Sequence, residues 1–319
     1  MRLRLQGNIT GKSNIGLYAV LAILLLAALV INFVTGVNFY KITNLLNVAR
    51  SFSLLGIASI GETLVIISGG LDLSVGSVIS TSNVFAATFM NGKNALLLPV
   101  SLLTLSFGAF IGLINGILVT KRNVPPFIAT LGLSIILTGA KLMWTKGLPR
   151  GRVPPALIEI GVGTGFGVPN LLYVFLFVAL LMTFMLNRCA YGRRLYAVGV
   201  NKEVSTLSGI RTGLVVTFAY VACGALSSLV GVLFGGYMGM SDQLIGQGYD
   251  LDSIAASVLG GAVIGGGFGS VSGTTIGVVI MLIITNLSLL AHFPIQSQML
   301  IKGVLIVFAL SLNGRRRPA

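Results

Sequence analysis

Continuous apolar stretches of about 20 residues run through most of the chain, separated by short polar ones. A helix needs about 20 apolar residues to cross the hydrocarbon core of a bilayer, where only helices and closed barrels satisfy the backbone. Because the apolar residues are consecutive rather than alternating, the pattern excludes barrel strands. Ten segments are predicted, at about 15–36, 51–69, 72–90, 95–119, 126–145, 168–187, 214–235, 252–268, 271–291 and 296–312. The sequence therefore predicts an all-α polytopic integral membrane protein with about ten transmembrane helices.

Two of these segments, 72–90 and 252–268, are short and rich in Gly or Ser, so we expect them to be re-entrant or broken. They belong to two similar stretches, SIGETLVIISGGLDLSVGS (59–77) and SIAASVLGGAVIGGGFGSVSG (253–273). Each has a Ser-Ile start, a glycine cluster and a Ser-Val-small ending, which indicates either an internal repeat of the kind found in transporters or a chance similarity.

Glycines are spaced by four residues in two places, where small residues let membrane helices approach closely. The patterns are Gly108–Gly112–Gly116 and Gly261–Gly265–Gly269. Both predict tight helix packing.

Composition agrees with a membrane protein. Of the 319 residues, 55% are hydrophobic and 9% are charged, against about 25% charged in a soluble domain. One His and two Cys exclude a disulfide framework and a His/Cys metal site. No GxxxxGK[ST] phosphate loop and no Ser-His-Asp or Cys-His set is present, so we expect no catalytic residues, no metal and no cofactor.

The formal net charge of +14 predicts the orientation of the chain, because cytoplasmic loops of membrane proteins carry an excess of Lys and Arg. With ten spans both termini lie on one side, and that side collects thirteen of the 21 basic residues. They are Arg2, Arg4, Lys12, Lys121, Arg122, Arg188, Arg193, Arg194, Lys202, Arg211, Arg315, Arg316 and Arg317. The N- and C-termini are thus predicted to be cytoplasmic. The basic segments are short and lie between apolar runs, which argues against a nucleic-acid partner.

The longest polar stretch on that face separates the sixth and seventh segments, at 188–213. Its middle, 194–207, predicts one short amphipathic helix with apolar positions at Leu195, Val198, Val204 and Leu207. The stretch is far longer than a connection requires, so we expect it to contact another molecule.

Polar residues inside the apolar segments are candidates for a translocation path, because an ionised side chain near the bilayer midplane is costly unless it is paired or wet. These candidates are Glu62, Asp72, Ser74 and Asn115. Glu62 could pair with Arg50 or with a polar group on another helix, and Asp72 could instead cap the following helix. A polar group before segment eight could face a partner on the opposite side: Asp242, Gln243, Gln247 and Tyr249.

Three classes of function fit such a chain: a subunit of a primary transporter, a secondary transporter or a membrane enzyme. A secondary transporter usually builds a coupling-ion site from membrane acids, and Glu62 is the only acid near the midplane. A membrane enzyme would cluster His, Asp or Glu at one depth. A permease driven by a separate ATPase needs only a cytoplasmic surface that receives force. The ion-coupled secondary transporter of a small polar solute remains the alternative.

Four stretches resemble the ribose/xylose-type family of ABC transporter permeases, which includes the autoinducer-2 importers. They occur in order along the chain: GGLDLSVG (69–76), NVPPFIATLG (123–132), YGRRLYAVGVNKEVSTLSGI (191–210) and GYDLDSIAASVLGGAVIGGGFGSVSGTTIG (248–277). Phe268 stands where this family commonly has Arg, as in a divergent subfamily or one half of a heterodimer.

The resemblance implies a single transmembrane permease domain over 1–319, with 188–213 as its cytoplasmic coupling loop, in the bacterial inner membrane. It implies four partners: a cytoplasmic ATP-binding subunit, a periplasmic solute-binding protein, a second permease copy or paralogue, and the lipid bilayer. A sugar or sugar-like solute is the implied cargo. The implied ATPase-coupling residues are Gly192, Arg193, Arg194, Ala197, Gly199, Ser208, Gly209 and Ile210.

Overall fold

The computed structural model describes residues 39–314, without the side chains of 295, 305, 306 and 308–314. The first predicted segment, 15–36, and the arginines at 315–317 lie outside the described residues. The helices are α1 (Ile42–Ile67), α2 (Val75–Met90), α3 (Leu97–Lys121), α4 (Pro126–Thr145), α5 (Pro155–Val162), α6 (Asn170–Arg188), α7 (Ala190–Val200), α8 (Lys202–Leu207), α9 (Thr212–Met238), α10 (Tyr249–Leu259), α11 (Val271–Leu290) and α12 (Ile295–Gly314). A 3₁₀ turn at Asn94–Leu96 precedes α3, and β1 (Thr164–Gly165) and β2 (Val168–Pro169) form a small antiparallel hairpin.

Within the described residues, six helices are long and apolar enough to cross a membrane: α1, α3 with its 3₁₀ turn, α4, α6, α9 and α11. The shorter apolar helix α2 and the last helix α12 coincide with predicted segments too. The prediction of an all-α polytopic membrane protein is confirmed.

Helices α1 and α9 form the centre of the bundle. About 83% of the apolar window of α1 and 72% of that of α9 is buried, against 22–28% for α3, α4 and α6. The outer helices therefore present most of their surface to lipid. In contrast, α1 and α9 must satisfy their polar groups inside the protein.

Helices α3 and α9 pack closely, as the first glycine pattern predicts. A Cβ on Gly112 would overlap the carbonyl oxygen of Tyr220, and one on Gly116 would lie 2.7 Å from the Cα of Thr217. Gly108 faces Gly224 in the same way. The prediction of tight packing through Gly108–Gly112–Gly116 is confirmed.

The prediction of tight helix packing through the second glycine pattern is wrong. Gly261, Gly265 and Gly269 lie in an irregular stretch between α10 and α11, with φ of 93°, 115° and 154°. Glycine is costly inside a helix and adopts positive φ without the strain of a Cβ, so a dense glycine cluster favours a break over a helical seam. Segment eight is thus an 11-residue helix, α10, followed by the break at 260–270.

A second break at 68–74 separates α1 from α2, so both similar stretches have the same helix–break–helix layout. The breaks meet: the N–H of Gly267 donates to the carbonyl of Ile67 at 2.9 Å. Thr63 and Ser257, which occupy equivalent positions in the two stretches, have their hydroxyls 2.9 Å apart. The breaks lie at the end of the bundle that also carries α7 and α8, called here the α7 end.

Candidate functional site

A buried polar cluster forms where the break at 68–74 passes α1 and α3. The Asp72 N–H donates to Glu62 Oε1 at 3.1 Å. Asp72 Oδ1 accepts the Ser74 N–H at 2.9 Å and the Ser74 hydroxyl at 2.5 Å. Asp72 therefore closes a local turn just ahead of α2, and Glu62 satisfies a backbone donor that the break leaves without a helical partner.

Asn115 on α3 completes this cluster. Its Nδ2 donates to the Ser74 hydroxyl oxygen at 2.9 Å and lies 3.4 Å from Asp72 Oδ1. The structure thus brings together all four residues predicted for the path, Glu62, Asp72, Ser74 and Asn115, and each is at most 1% exposed. They lie in the interior of the protomer, linked to one another.

Three further residues join the cluster. Thr130 accepts the Leu73 N–H at 3.1 Å, the Tyr220 hydroxyl donates to the Leu71 carbonyl at 3.4 Å, and Cys223 Sγ lies 4.0 Å from Glu62 Oε2. Sequence reasoning missed them, because a Thr, a Tyr and a Cys in apolar helices are unremarkable singly. The three-residue spacing of Tyr220 and Cys223, which puts both on one face of α9, was the available signal.

Of the two partners considered for Glu62, Arg50 or a polar group on another helix, Arg50 is wrong. The Arg50 guanidinium donates to Asn47 Oδ1 at 2.8 Å and to the Val162 carbonyl at 2.6 Å. Arg50 lies about three turns before Glu62 on α1, so its side chain reaches the loops at the opposite end of the bundle instead.

The loop between α6 and α9 contains two helices, where the sequence predicts one. Asn201 breaks the helix with φ −157° and ψ 109°, and its side chain accepts the Val204 N–H at 3.0 Å, as an N-cap of α8. Leu195 and Val198 on α7 are buried as predicted. Val204 and Leu207 are 57% and 89% exposed, so their predicted packing in the same helix face is wrong, because the break turns α8 away from α7.

The predicted coupling residues divide between these two helices. On α7, Gly192 is buried against the Leu186 carbonyl, Ala197 is half-buried, and Arg193 and Arg194 are exposed. Beyond Asn201, the exposed residues Ser208 and Gly209 end α8, and the half-buried Ile210 leads into α9.

Helix α7 contacts both breaks directly. A Cβ on Gly199 would overlap two backbone groups. One is the carbonyl of Ile67, where α1 ends at the first break, and the other is the N–H of Gly267 in the second break. The Tyr196 hydroxyl donates to the Gly269 carbonyl at 2.8 Å. Burial raises the pKa of the Tyr196 phenol, so the hydroxyl keeps its proton and remains a donor.

The group predicted to face an external partner lies at the opposite end of the bundle. Gln243 is buried, with its Nε2 donating to the Thr145 hydroxyl at 2.9 Å, and the ring of Tyr249 packs edge-on against Phe234. Asp242 is half-buried and caps its own turn by accepting the Leu244 N–H at 2.9 Å. Gln247 is exposed.

Six candidate spans within residues 39–314, paired broken helices and an internal polar cluster are typical of a multi-pass membrane transport protein. A family model described as "Branched-chain amino acid transport system / permease component" matches residues 44–310. The chain belongs to this family of ABC importer permeases.

Individual relatives agree with this assignment. The chain is 34% identical over 284 residues to the ribose import permease protein RbsC of Escherichia coli, covering 88% of each chain. It is 33% identical to the RbsC of Bacillus subtilis, covering 88% of this chain and 87% of that one. It is 31% identical to the autoinducer 2 import system permease protein LsrC of Salmonella paratyphi B, covering 88% of this chain and 81% of that one. No solved structure matches the chain.

Proposed function

We propose that this chain is the membrane-spanning permease subunit of a binding-protein-dependent ABC importer. It carries a sugar or sugar-like solute across the bacterial inner membrane by ATP-driven alternating access. ATP hydrolysis takes place on a separate cytoplasmic subunit, and a periplasmic binding protein delivers the solute. A second permease copy or paralogue completes the pathway. The whole chain acts as one permease domain, with both termini cytoplasmic.

The observation that carries this proposal is the contact of α7 with both helix breaks. A force applied to the 188–213 loop reaches Ile67 and Gly267 through Gly199 without an intervening flexible segment. Broken membrane helices are where many transporters bind their substrate and coupling ions. The loop residues Gly192, Arg193, Arg194, Ala197, Gly199, Ser208, Gly209 and Ile210 then act as the coupling element.

Helix α8 is the part of this element that meets the ATPase. Val204 and Leu207 project from it into solvent, and exposed apolar side chains on a short helix suit insertion into a groove of a partner. The exposed residues Lys202, Glu203 and Ser208 surround them as a polar rim. Helix α7 transmits the motion and α8 receives it.

The cargo is a neutral, hydroxyl-rich solute. The polar cluster of Glu62, Asp72, Ser74 and Asn115 offers carboxylate, hydroxyl and amide groups, which suit hydrogen bonding to hydroxyls. Because this cluster is buried in the protomer, we assign it to the internal lining that the rearrangement exposes. The exposed Gln247 and the half-buried Asp242 are the residues of the 242–249 group that face the binding protein, while Gln243 and Tyr249 hold that loop in place.

The test is transport by the chain reconstituted with an ATPase and a binding protein of this importer class from the same organism. Leu207→Asp places a charge at the exposed C-terminal end of the docking helix, so we expect ATPase binding and uptake to fall at least tenfold with the permease still folded. Leu148→Asp is the matched control, because Leu148 is an exposed leucine at the opposite end of the bundle. Uptake driven by an ion gradient in the permease alone would instead support the secondary transporter. Equal uptake by both variants would overturn the assignment of α8.

A further inference from the structure

A groove of about 480 Å³ opens at the α7 end between the last turn of α3 and the first turns of α9. Helix α3 contributes Thr120 and Lys121, and the segment that joins α8 to α9 contributes Arg211 and its neighbours. Since α3 and α9 are membrane spans, the groove lies where the bundle leaves the hydrocarbon core. The side chains that line the groove therefore lie at the level of the lipid headgroups.

The groove is positively charged. Lys121 and Arg211 both line it, and neither side chain makes an ion pair or a hydrogen bond with another described residue. Glu203 on α8 is the acid nearest along the chain, yet it does not line the groove and pairs with no cation among residues 39–314. Two uncompensated cations in one groove favour an anionic ligand.

Hydrogen-bonding groups surround these cations. The hydroxyls of Thr120 and Thr217 lie 3.2 Å apart, and those of Thr206 and Thr212 lie 3.3 Å apart. All four threonines line the groove. In the first turn of α9, the N–H groups of Thr212 and Leu214 already donate to the carbonyls of Ile210 and Arg211, which leaves the Gly213 N–H for a ligand. Hydroxyls, an amide N–H and cations in one groove match the acceptor-rich surface of a phosphate group.

Apolar side chains continue from the groove down the same face of α9. Leu214 and Phe218, spaced by one helical turn, are 61% and 47% exposed. The Phe218 ring is held by an edge contact with Tyr191 at 4.7 Å between ring centroids. A free anion would gain nothing from this strip, whereas an acyl chain would pack along it.

We propose that this groove binds an anionic phospholipid, with its phosphate at Lys121 and Arg211 and an acyl chain along Leu214 and Phe218. A bound lipid links α3 to the segment that carries α8, so the membrane itself holds the loop against the bundle. Lipid binding itself requires only that the chain spans a membrane, but Gly209 and Ile210 line the groove too, so the lipid would lie beside the proposed coupling element.

The test measures retention of phosphatidylglycerol against phosphatidylcholine by native mass spectrometry of the permease taken from mixed vesicles. The double variant Lys121→Gln, Arg211→Gln should lower the preference for phosphatidylglycerol by roughly 30-fold, since each basic residue near a membrane surface contributes to anionic lipid binding. The control, Arg194→Gln, Lys202→Gln, removes two exposed cations of the same loop that do not line the groove, and should leave the preference within about twofold.

Two outcomes would overturn the proposal. An equal loss in the control would show that lipid preference follows net charge and not the groove. Displacement of the lipid by inorganic phosphate would show a free-anion site, in which Leu214→Asn would have no effect. If the ligand is a phospholipid, Leu214→Asn must also weaken retention of phosphatidylglycerol. Binding of the ATPase must not displace this lipid.

Discussion

Gly199 shows how much can depend on one absent methyl group. A Cβ at this position would overlap both the carbonyl of Ile67, where α1 ends, and the N–H of Gly267 in the second break. Any side chain at this position must separate α7 from at least one of them. The close approach, more than backbone flexibility, is the reason for glycine here.

Replacing Gly199 with Ala should destabilise the folded permease by about 1–3 kcal/mol, because an overpacked contact forces the backbone apart. The measurement is thermal unfolding of the purified protein in detergent. Gly139→Ala is the matched control, since no atom lies within 4 Å of the position of its Cβ on the lipid-facing helix α4. That variant should be neutral or more stable by up to about 1 kcal/mol, from helix propensity. Identical melting of the two variants would contradict the close contact.

The sequence predicts single site residues best where a charged or polar side chain lies in an apolar segment. Glu62 and Asp72 stand out in an apolar chain, and the structure places them within one cluster with Ser74 and Asn115. The other members, Thr130, Tyr220 and Cys223, carry no such conflict. Only the folded chain joins residues as far apart as Cys223 and Glu62, which are 161 positions apart.

At the scale of elements, the sequence predicts the long apolar helices well and the bounds of the helix breaks poorly. The bounds of α4, 126–145, agree with the sequence, because Pro126 and an unbroken apolar run define them. The glycines after α10 predict a break there. The length of this break depends on contacts with Ile67 and Tyr196, which the local sequence does not show. The break between α7 and α8 has a local signal in Asn201, which is a preferred N-cap residue, and Val198 and Val204, six positions apart, do not share one helical face.

Helices α10 and α12 are joined by the ion pair of Asp252 and Lys302, with Nζ and Oδ2 2.7 Å apart. Either Asp252→Asn or Lys302→Gln leaves one charge without its partner in a partly buried position, so each should lower the unfolding temperature. The double variant Asp252→Asn, Lys302→Gln should lose less than the two single variants together, with a coupling energy of about 0.5–3 kcal/mol. Thermal unfolding of the four proteins gives this energy. A coupling energy of zero would show that the pair is only a surface contact.

At the scale of the whole molecule, orientation follows from charge alone. The bias of basic residues predicts that the α7 end faces the cytoplasm, and no packing contact bears on this. The chain supplies its own reporter, because Cys189 at the start of α7 is half-exposed and Cys223 is buried.

A membrane-impermeant maleimide should therefore label Cys189 in inverted vesicles and not in right-side-out ones. Phe166→Cys in a Cys189→Ser background is the counterpart, because Phe166 is fully exposed at the tip of the β1–β2 hairpin at the opposite end. It should be labelled only in right-side-out vesicles. The reverse pattern for both cysteines would invert the topology.

The burial of α1 has a consequence for how the chain is made. Its Glu62 contacts Cys223 on α9, which the ribosome adds 161 residues later. At about 5–20 residues per second, roughly 8–30 s separate the two during synthesis. During that interval the Asp72 N–H, only ten residues further on, can already pair with Glu62, whereas the buried face of α1 still lacks its α9 neighbour. We expect the insertion machinery, or a chaperone beside it, to hold this helix until α9 arrives.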